Sequence, residues 1–188
     1  MIKKLVIIAA ALVLCCLTIV LCIGIFAEKP HYESFVDEAS LVYYEDADAV
    51  IADSVLIVRV KKTGEEDWAN HLGNGFYDHF TISTVKVKEV FQNSADDQIT
   101  AGSEINILEC QWTDEENKIV HHTAGYLKME KGKEYVLLLG ANPDLNYYYP
   151  LGVLCGKVPV DSEETLFLES GYEDIKEIIQ ELRGRYIK

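Results

Sequence analysis

Phe80-Thr-Ile-Ser-Thr-Val-Lys-Val-Lys-Glu-Val-Phe91 is the segment most informative about architecture. It lies in a strand predicted over residues 78–91. Phe80 and Ile82 share one face, whereas Val85 and Val87 fall on the opposite parity. In a chain of period two, one inserted residue produces such a switch, so a β-bulge is predicted near Ser83 and Thr84. Bulged, strongly curved strands are what a closed barrel requires.

Upstream, Ala49 to Val60 is rich in β-branched residues and ends in Lys61-Lys-Thr-Gly64, a turn signal, so it reads as a long first strand with a bend at Asp53 and Ser54. The polar residues 64–78, with Gly64, Gly73 and Gly75, read as a loop. Between Pro30 and Tyr44, the residues Phe35, Val36, Ala39, Val42 and Tyr43 recur at helical spacing and predict a short amphipathic helix packed on the domain.

Downstream, residues 93–102 read as a loop. Ile105, Ile107 and Leu108 belong to a third strand reaching about Trp112. The run Asp114 to Lys118 is a hairpin-like turn, with Ile119 to Thr123 returning along it. Met129 to Leu139 passes through a Lys-Gly-Lys turn into a run that is apolar on both parities, which predicts a central strand buried on both faces. Tyr147 to Val160 holds a last strand or pair. A helix over 172–186 carries the stripe Tyr172, Ile175, Ile178, Ile179 and Leu182, with Glu173 and Asp174 in its first turn and Arg183 and Arg185 near its end, as the helix dipole prefers. The expected class is mainly β with flanking helices, a small barrel or sandwich.

The N-terminus carries a different signal. Lys3 and Lys4 precede an uncharged run from Leu5 to Ala27. As a helix these residues span roughly 34 Å, enough to cross the hydrocarbon core of a bilayer. The two lysines favour a cytoplasmic N-terminus and an extracytoplasmic C-terminal domain. The run is longer than a signal-peptide core, and Ile25-Phe-Ala27 is a poor cleavage site. Residues 1–27 therefore read as an uncleaved signal-anchor, with secretion after cleavage at Ala27 as the alternative. Residues 28–188 read as one extracytoplasmic domain.

The chain has 31 acidic and 17 basic residues and a net charge of −14. Setting Lys3 and Lys4 aside, the exported part carries −16. Such a surface repels phosphate backbones and anionic headgroups, which argues against a nucleic-acid partner.

The order of segments resembles the netrin-like domain, the OB-type barrel of tissue inhibitors of metalloproteases. Ala47-Asp-Ala-Val-Ile51 resembles the family's opening of the first strand, Phe80 to Phe91 its second, and Glu104-Ile-Asn-Ile107 its third. Gly132-Lys-Glu-Tyr-Val-Leu-Leu-Leu-Gly140 resembles its "KEYL" strand and is the most specific match. Cys155 to Val160 resembles its last strand. The resemblance covers roughly 47–160 and implies an OB-like barrel. It does not carry over protease inhibition, because those inhibitors place a free N-terminal cysteine on the protease metal and no cysteine lies between Cys22 and Cys110.

Cys110 and Cys155 are the two cysteines of the exported part, either a disulfide or two thiols filling the core. His71, His79, His121 and His122 lack zinc-ligand spacing, and adjacent strand histidines point to opposite faces, so neither a metal site nor a cofactor is predicted. Asp46-Ala-Asp48 begins like a calcium loop, but Val50 stands at the next ligand position; capping or a solvated turn is the expectation. Tyr147, Tyr148 and Tyr149 put aromatic rings on both faces of a strand. Together with Trp68, Phe76 and Tyr77 from the 64–78 segment they are the candidate binding surface, with ordinary barrel packing and one half-buried ring as the favoured plainer reading. The sequence thus reads as a membrane-anchored binding module for a protein or glycan at the cell envelope rather than as an enzyme. The alternatives are an envelope hydrolase or metal-dependent enzyme using histidine and carboxylate, and a structural subunit of a membrane assembly.

Overall fold

The computed structural model describes residues 31–73, 76–95, 98–142, 146–168 and 171–187, with the side chains of 70–77 outside that description. The 5–27 segment thus lies outside the described residues. The unit formed by Glu33 to the C-terminus is mainly β.

Its elements are β1 (Glu33–Asp37), α1 (Ala47–Asp53), β2 (Leu56–Gly73), β3 (Phe76–Asn93), β4 (Glu104–Glu109), β5 (Gln111–Asp114), β6 (Ile119–Thr123), β7 (Glu134–Ala141), β8 (Tyr148–Pro150), β9 (Lys157–Pro159) and α2 (Glu173–Tyr186). The larger sheet runs β2-β3-β4-β8-β7, and β7 pairs back onto β2, closing the sheet on itself; β9 adds to the same edge of β7 as β8. Neighbours are antiparallel except β4 and β8, which meet in parallel at the single pair Ile107 and Tyr148. A small second sheet, β1-β6-β5, continues from β4.

Closure divides the core in two. The interior is filled by Leu56, Val58 and Val60 of β2, Val85 and Val87 of β3, Ile105 and Ile107 of β4, and Tyr135, Leu137 and Leu139 of β7. On the outer face of β2 and β7, Ile57, Val136 and Leu138 pack with Val50 of α1 and with Ile175, Ile178, Ile179 and Leu182 of α2. β7 is apolar on both parities because each of its faces meets one of these cores, as its sequence predicts. The α2 stripe also lies where its spacing puts it.

Four local expectations are overturned. The 30–44 segment is not an amphipathic helix. Residues 33–37 form a strand paired in parallel with β6, so backbone pairing overrides the helical spacing; Phe35, Val42 and Tyr43 are 55%, 62% and 68% exposed. Ala49 to Asp53 is not the start of the first strand but part of α1. Asp46 caps that helix by accepting the Ala49 amide at 2.8 Å, and the Ser54 hydroxyl donates to the Val50 carbonyl at its end. The part of the resemblance resting on Ala47 to Ile51 as strand therefore falls on a helix.

Residues 64–73 and 76–78 are strand and not loop. β2 and β3 extend as a two-stranded ribbon beyond the stretches that pair with β7 and β4. Glu65, Glu66 and Asp67 are exposed there, so the polarity marks solvation and not absence of strand. Finally, the extra residue near Ser83 and Thr84 is in the partner strand: Lys62 pairs with Val85 and Gly64 with Thr84, leaving Thr63 as the bulge. β3 itself runs in unbroken register with β4 from Thr81 to Lys86. Thr81 and Ser83 share the parity of Val85 and Val87 and are buried, so the inner face does not change sides. It changes from apolar to polar.

Candidate functional site

That change recurs on each neighbouring strand. Along the interior parity, β2 passes from Leu56, Val58 and Val60 to Lys62, and β4 from Ile105 and Ile107 to Glu109. The two charged side chains are fully buried and meet at 3.1 Å. Glu109 is saturated with donors: Lys62 and the Ser83 hydroxyl on Oε1, the Tyr126 hydroxyl at 2.8 Å and the Met129 amide at 2.7 Å on Oε2. Lys62 also donates to the Met129 carbonyl at 2.7 Å and pairs with Glu65 at 2.5 Å. One end of the barrel is closed by a polar plug.

Lys157 of β9 lies beside it, 3% exposed. Its ammonium donates to the Leu127 carbonyl and stands 4.2 Å from the centre of the Tyr126 ring. Burial pulls its pKa down to about 8, against the pull of Glu109 and Glu164 in the other direction.

Above the plug is an open cleft of about 940 Å³. It lies between Gly64 and Glu65 of β2, Gln111 of β5, the 127–133 connection and the 163–165 segment. Charges of both signs line it: Glu65, Glu130, Glu163 and Glu164, with Lys128, Lys131 and Lys133. Lys128 pairs with Glu65 at 2.7 Å and Lys133 with Glu130 at 3.0 Å.

The aromatic residues singled out by sequence separate. Trp68, on β2 rather than in a loop, stacks on Phe80 with ring centres 5.7 Å apart and meets Tyr147 edge-on at 6.3 Å. The ribbon and the tyrosine run therefore do come together there. Tyr148 points inward and is 8% exposed, part of the barrel core. Tyr149 is 38% exposed and lies over Gly140, where a side chain on residue 140 would collide with its ring. Phe76 and Tyr77 are paired on β3, with their side chains outside the described residues.

A second aromatic array crosses the smaller sheet. Trp112 stacks on His121 at 4.0 Å and on His79 at 4.3 Å; Phe35 packs on His121 at 5.6 Å, and Asp37 lies 3.2 Å from its Nδ1. His122 faces the other way and is buried. Its Nδ1 lies 3.0 Å from the Tyr126 carbonyl, which fixes the proton on that nitrogen, and burial lowers its pKa. Among the described residues no group of three His, Cys, Asp or Glu side chains is arranged to hold a metal ion.

No protein-family model and no curated protein matches this chain.

Cys110 and Cys155 are free thiols, Cys155 in the outer core and Cys110 partly buried against it, and burial raises the pKa of both to about 11. Sequence reading missed Lys62, Glu109, Lys157 and Glu164. Two of them carry a legible mark: Lys62 and Glu109 continue the parity of an apolar run, where a solvated charge does not belong.

Proposed function

We propose that this chain is a membrane-anchored binding module, held by residues 5–27 with its folded domain on the outer side of the membrane, and that its barrel is of the OB type found in netrin-like domains. The strand order supports the barrel assignment: five strands in a partly open Greek-key barrel, with one thin parallel closure between β4 and β8. The Trp68, Phe80 and Tyr147 cluster carries the binding assignment. It joins two segments distant in sequence into one rigid aromatic surface at low entropic cost, the pattern by which proteins recognise proteins and glycans. Lys62 and Glu109, by contrast, are consumed by each other and by backbone partners, an arrangement that organises structure.

The test is site-specific photo-crosslinking in intact cells with the full-length chain. A crosslinker at position 147 is expected to capture a discrete partner, and one at Glu89, on the exposed face of β3, to capture none. Trp68→Ala is expected to abolish the adduct. Equal labelling from both positions, or an adduct indifferent to Trp68→Ala, contradicts the reading.

The alternative of an envelope hydrolase has one supporting observation, the pairing of His121 with Asp37. His121 stacks on Trp112, packs on Phe35 and pairs with Asp37, so the same ring is also part of an aromatic surface of the kind that binding uses.

A further inference from the structure

β1 is the end strand of the smaller sheet, and among the described residues it has a neighbouring strand on one side only, β6. The Glu33 amide donates to the Lys118 carbonyl at 2.9 Å, and the Asp37 carbonyl accepts the Ala124 amide at 2.9 Å. Successive residues of a strand turn their backbone groups to alternate sides. Glu33, Phe35 and Asp37 therefore turn theirs to β6, and Ser34 and Val36 turn theirs outward. No proline interrupts this edge, and its first three residues are exposed. The N–H and C=O groups of Ser34 and Val36 thus make a short template for one more strand.

The side chains select what that strand carries. Phe35 is opposite His121, and His121 is opposite Trp112, so their rings form a row across the sheet. The row ends at the edge with Phe35 55% exposed. A strand added to β1 sets one of its residues beside Phe35, where an apolar side chain covers the ring and lengthens the row. Glu33 and Asp37 share the face of Phe35, two residues to either side. Opposite charges across neighbouring strands stabilise, and like charges directly opposite destabilise. This disfavours a second copy of the chain: antiparallel self-pairing about Phe35 sets Glu33 opposite the Asp37 of the second copy at both ends, and residues 28–188 carry −16 in each. The same charges favour a strand with a basic residue two positions to each side of an apolar one. We propose that the free edge of β1 binds an extended segment of a basic partner protein by strand addition. Its backbone bonds to Ser34 and Val36, and its basic, apolar and basic side chains lie on Glu33, Phe35 and Asp37. The proposal goes beyond the binding-module reading, because it uses a surface that shares no residue with the Trp68 cluster.

Amide hydrogen exchange read by nuclear magnetic resonance tests it, on the full-length chain in a non-ionic detergent. The probe is the peptide acetyl-Thr-Arg-Thr-Val-Thr-Arg-Thr amide, and the control carries Glu in place of each Arg. Without peptide, the Ser34 and Val36 amides are expected to exchange fast and the Phe35 and Asp37 amides, held by β6, slowly. The Arg peptide is expected to slow exchange at Ser34 and Val36, and the Glu peptide to leave it unchanged. Val36→Pro removes an outward donor and no bond to β6, and is expected to abolish the protection of Ser34. Glu33→Lys is expected to weaken the Arg peptide by about threefold or more and to strengthen the Glu peptide. If Val36→Pro loosens β1 itself, the Glu33→Lys result decides, since Glu33 is exposed. Slow exchange at Ser34 and Val36 before peptide is added, no protection by the Arg peptide, or equal protection by both peptides overturns the proposal. So does protection that grows with the concentration of the chain alone, which would mark a second copy at the edge. A Trp68-dependent crosslink that persists in any of these cases leaves the binding-module reading in place.

Discussion

The Lys62 ammonium and the Glu109 carboxylate stand 3.1 Å apart with both side chains fully shielded from water. They are not interchangeable halves of a pair. Lys62 has a second carboxylate, Glu65, at 2.5 Å, whereas the remaining partners of Glu109 are the neutral donors Ser83, Tyr126 and the Met129 amide. Removing the lysine strands a buried anion; removing the anionic charge leaves the lysine with Glu65.

Lys62→Met is therefore expected to destabilise by about 3–5 kcal/mol, and Glu109→Gln by less. The double variant is expected to be more stable than Lys62→Met alone, because a neutral amide can keep the Tyr126 and Met129 donors satisfied. Urea unfolding of the four proteins measures this. Additive losses would show that the two residues are not coupled.

Lys157 sets a pH dependence at the alkaline side. Its pKa is about 8 in the folded chain against 10.5 for a free side chain, so between those values the unfolded chain holds more protons and stability from this group rises with pH. Its desolvation cost is fully present below about pH 8 and is relieved toward pH 10.5. The stability of the parent relative to Lys157→Met is expected to improve by roughly 3 kcal/mol between pH 7 and pH 10.5. A difference that stays constant with pH would mean that Lys157 is hydrated.

Gly156 holds the β8–β9 connection against β7. The Leu138 amide donates to its carbonyl at 2.8 Å, and its own amide donates to the Leu151 carbonyl at 2.8 Å. A Cβ on residue 156 would lie 2.5 Å from the Leu138 carbonyl oxygen and collide with the Leu151 amide, both backbone atoms. On Gly140 the obstacle is the end of the Tyr149 side chain, which can swing aside. Gly156→Ala is expected to lower the melting temperature far more than Gly140→Ala; the reverse order would place the rigid contact at the wrong residue.

Asp46 supplies the cap of a helix only seven residues long, with Val50 buried in the outer core. Asp46→Ala is expected to cost about 1 kcal/mol and Asp46→Asn much less, read by thermal unfolding. Equal losses would point to charge and not to the cap.

Legibility in the sequence followed how strongly each segment's pattern was tied to one environment. β7 and α2 were readable because their faces meet fixed apolar surfaces. The β2–β3 ribbon was not, because a strand with exposed charges such as Glu65, Glu66 and Asp67 carries the composition of a loop. β1 was hidden by a helical spacing that tertiary pairing overrode. The phase switch at Phe80 to Val87 was real, but its cause was a polar plug rather than a bulge in that strand, and one strand cannot tell these apart. Reading Lys62, Ser83 and Glu109 together would have, since three adjacent strands turn polar at one level of the barrel.

Everything in the site depends on β2 having a partner along both of its edges. Nuclear Overhauser contacts from the backbone of Val58 measure this most directly. The closed barrel predicts contacts both to Val90 across β3 and to Leu137 across β7. Contacts to Val90 alone would describe an open sheet, with no enclosed end for Lys62 and Glu109 to plug.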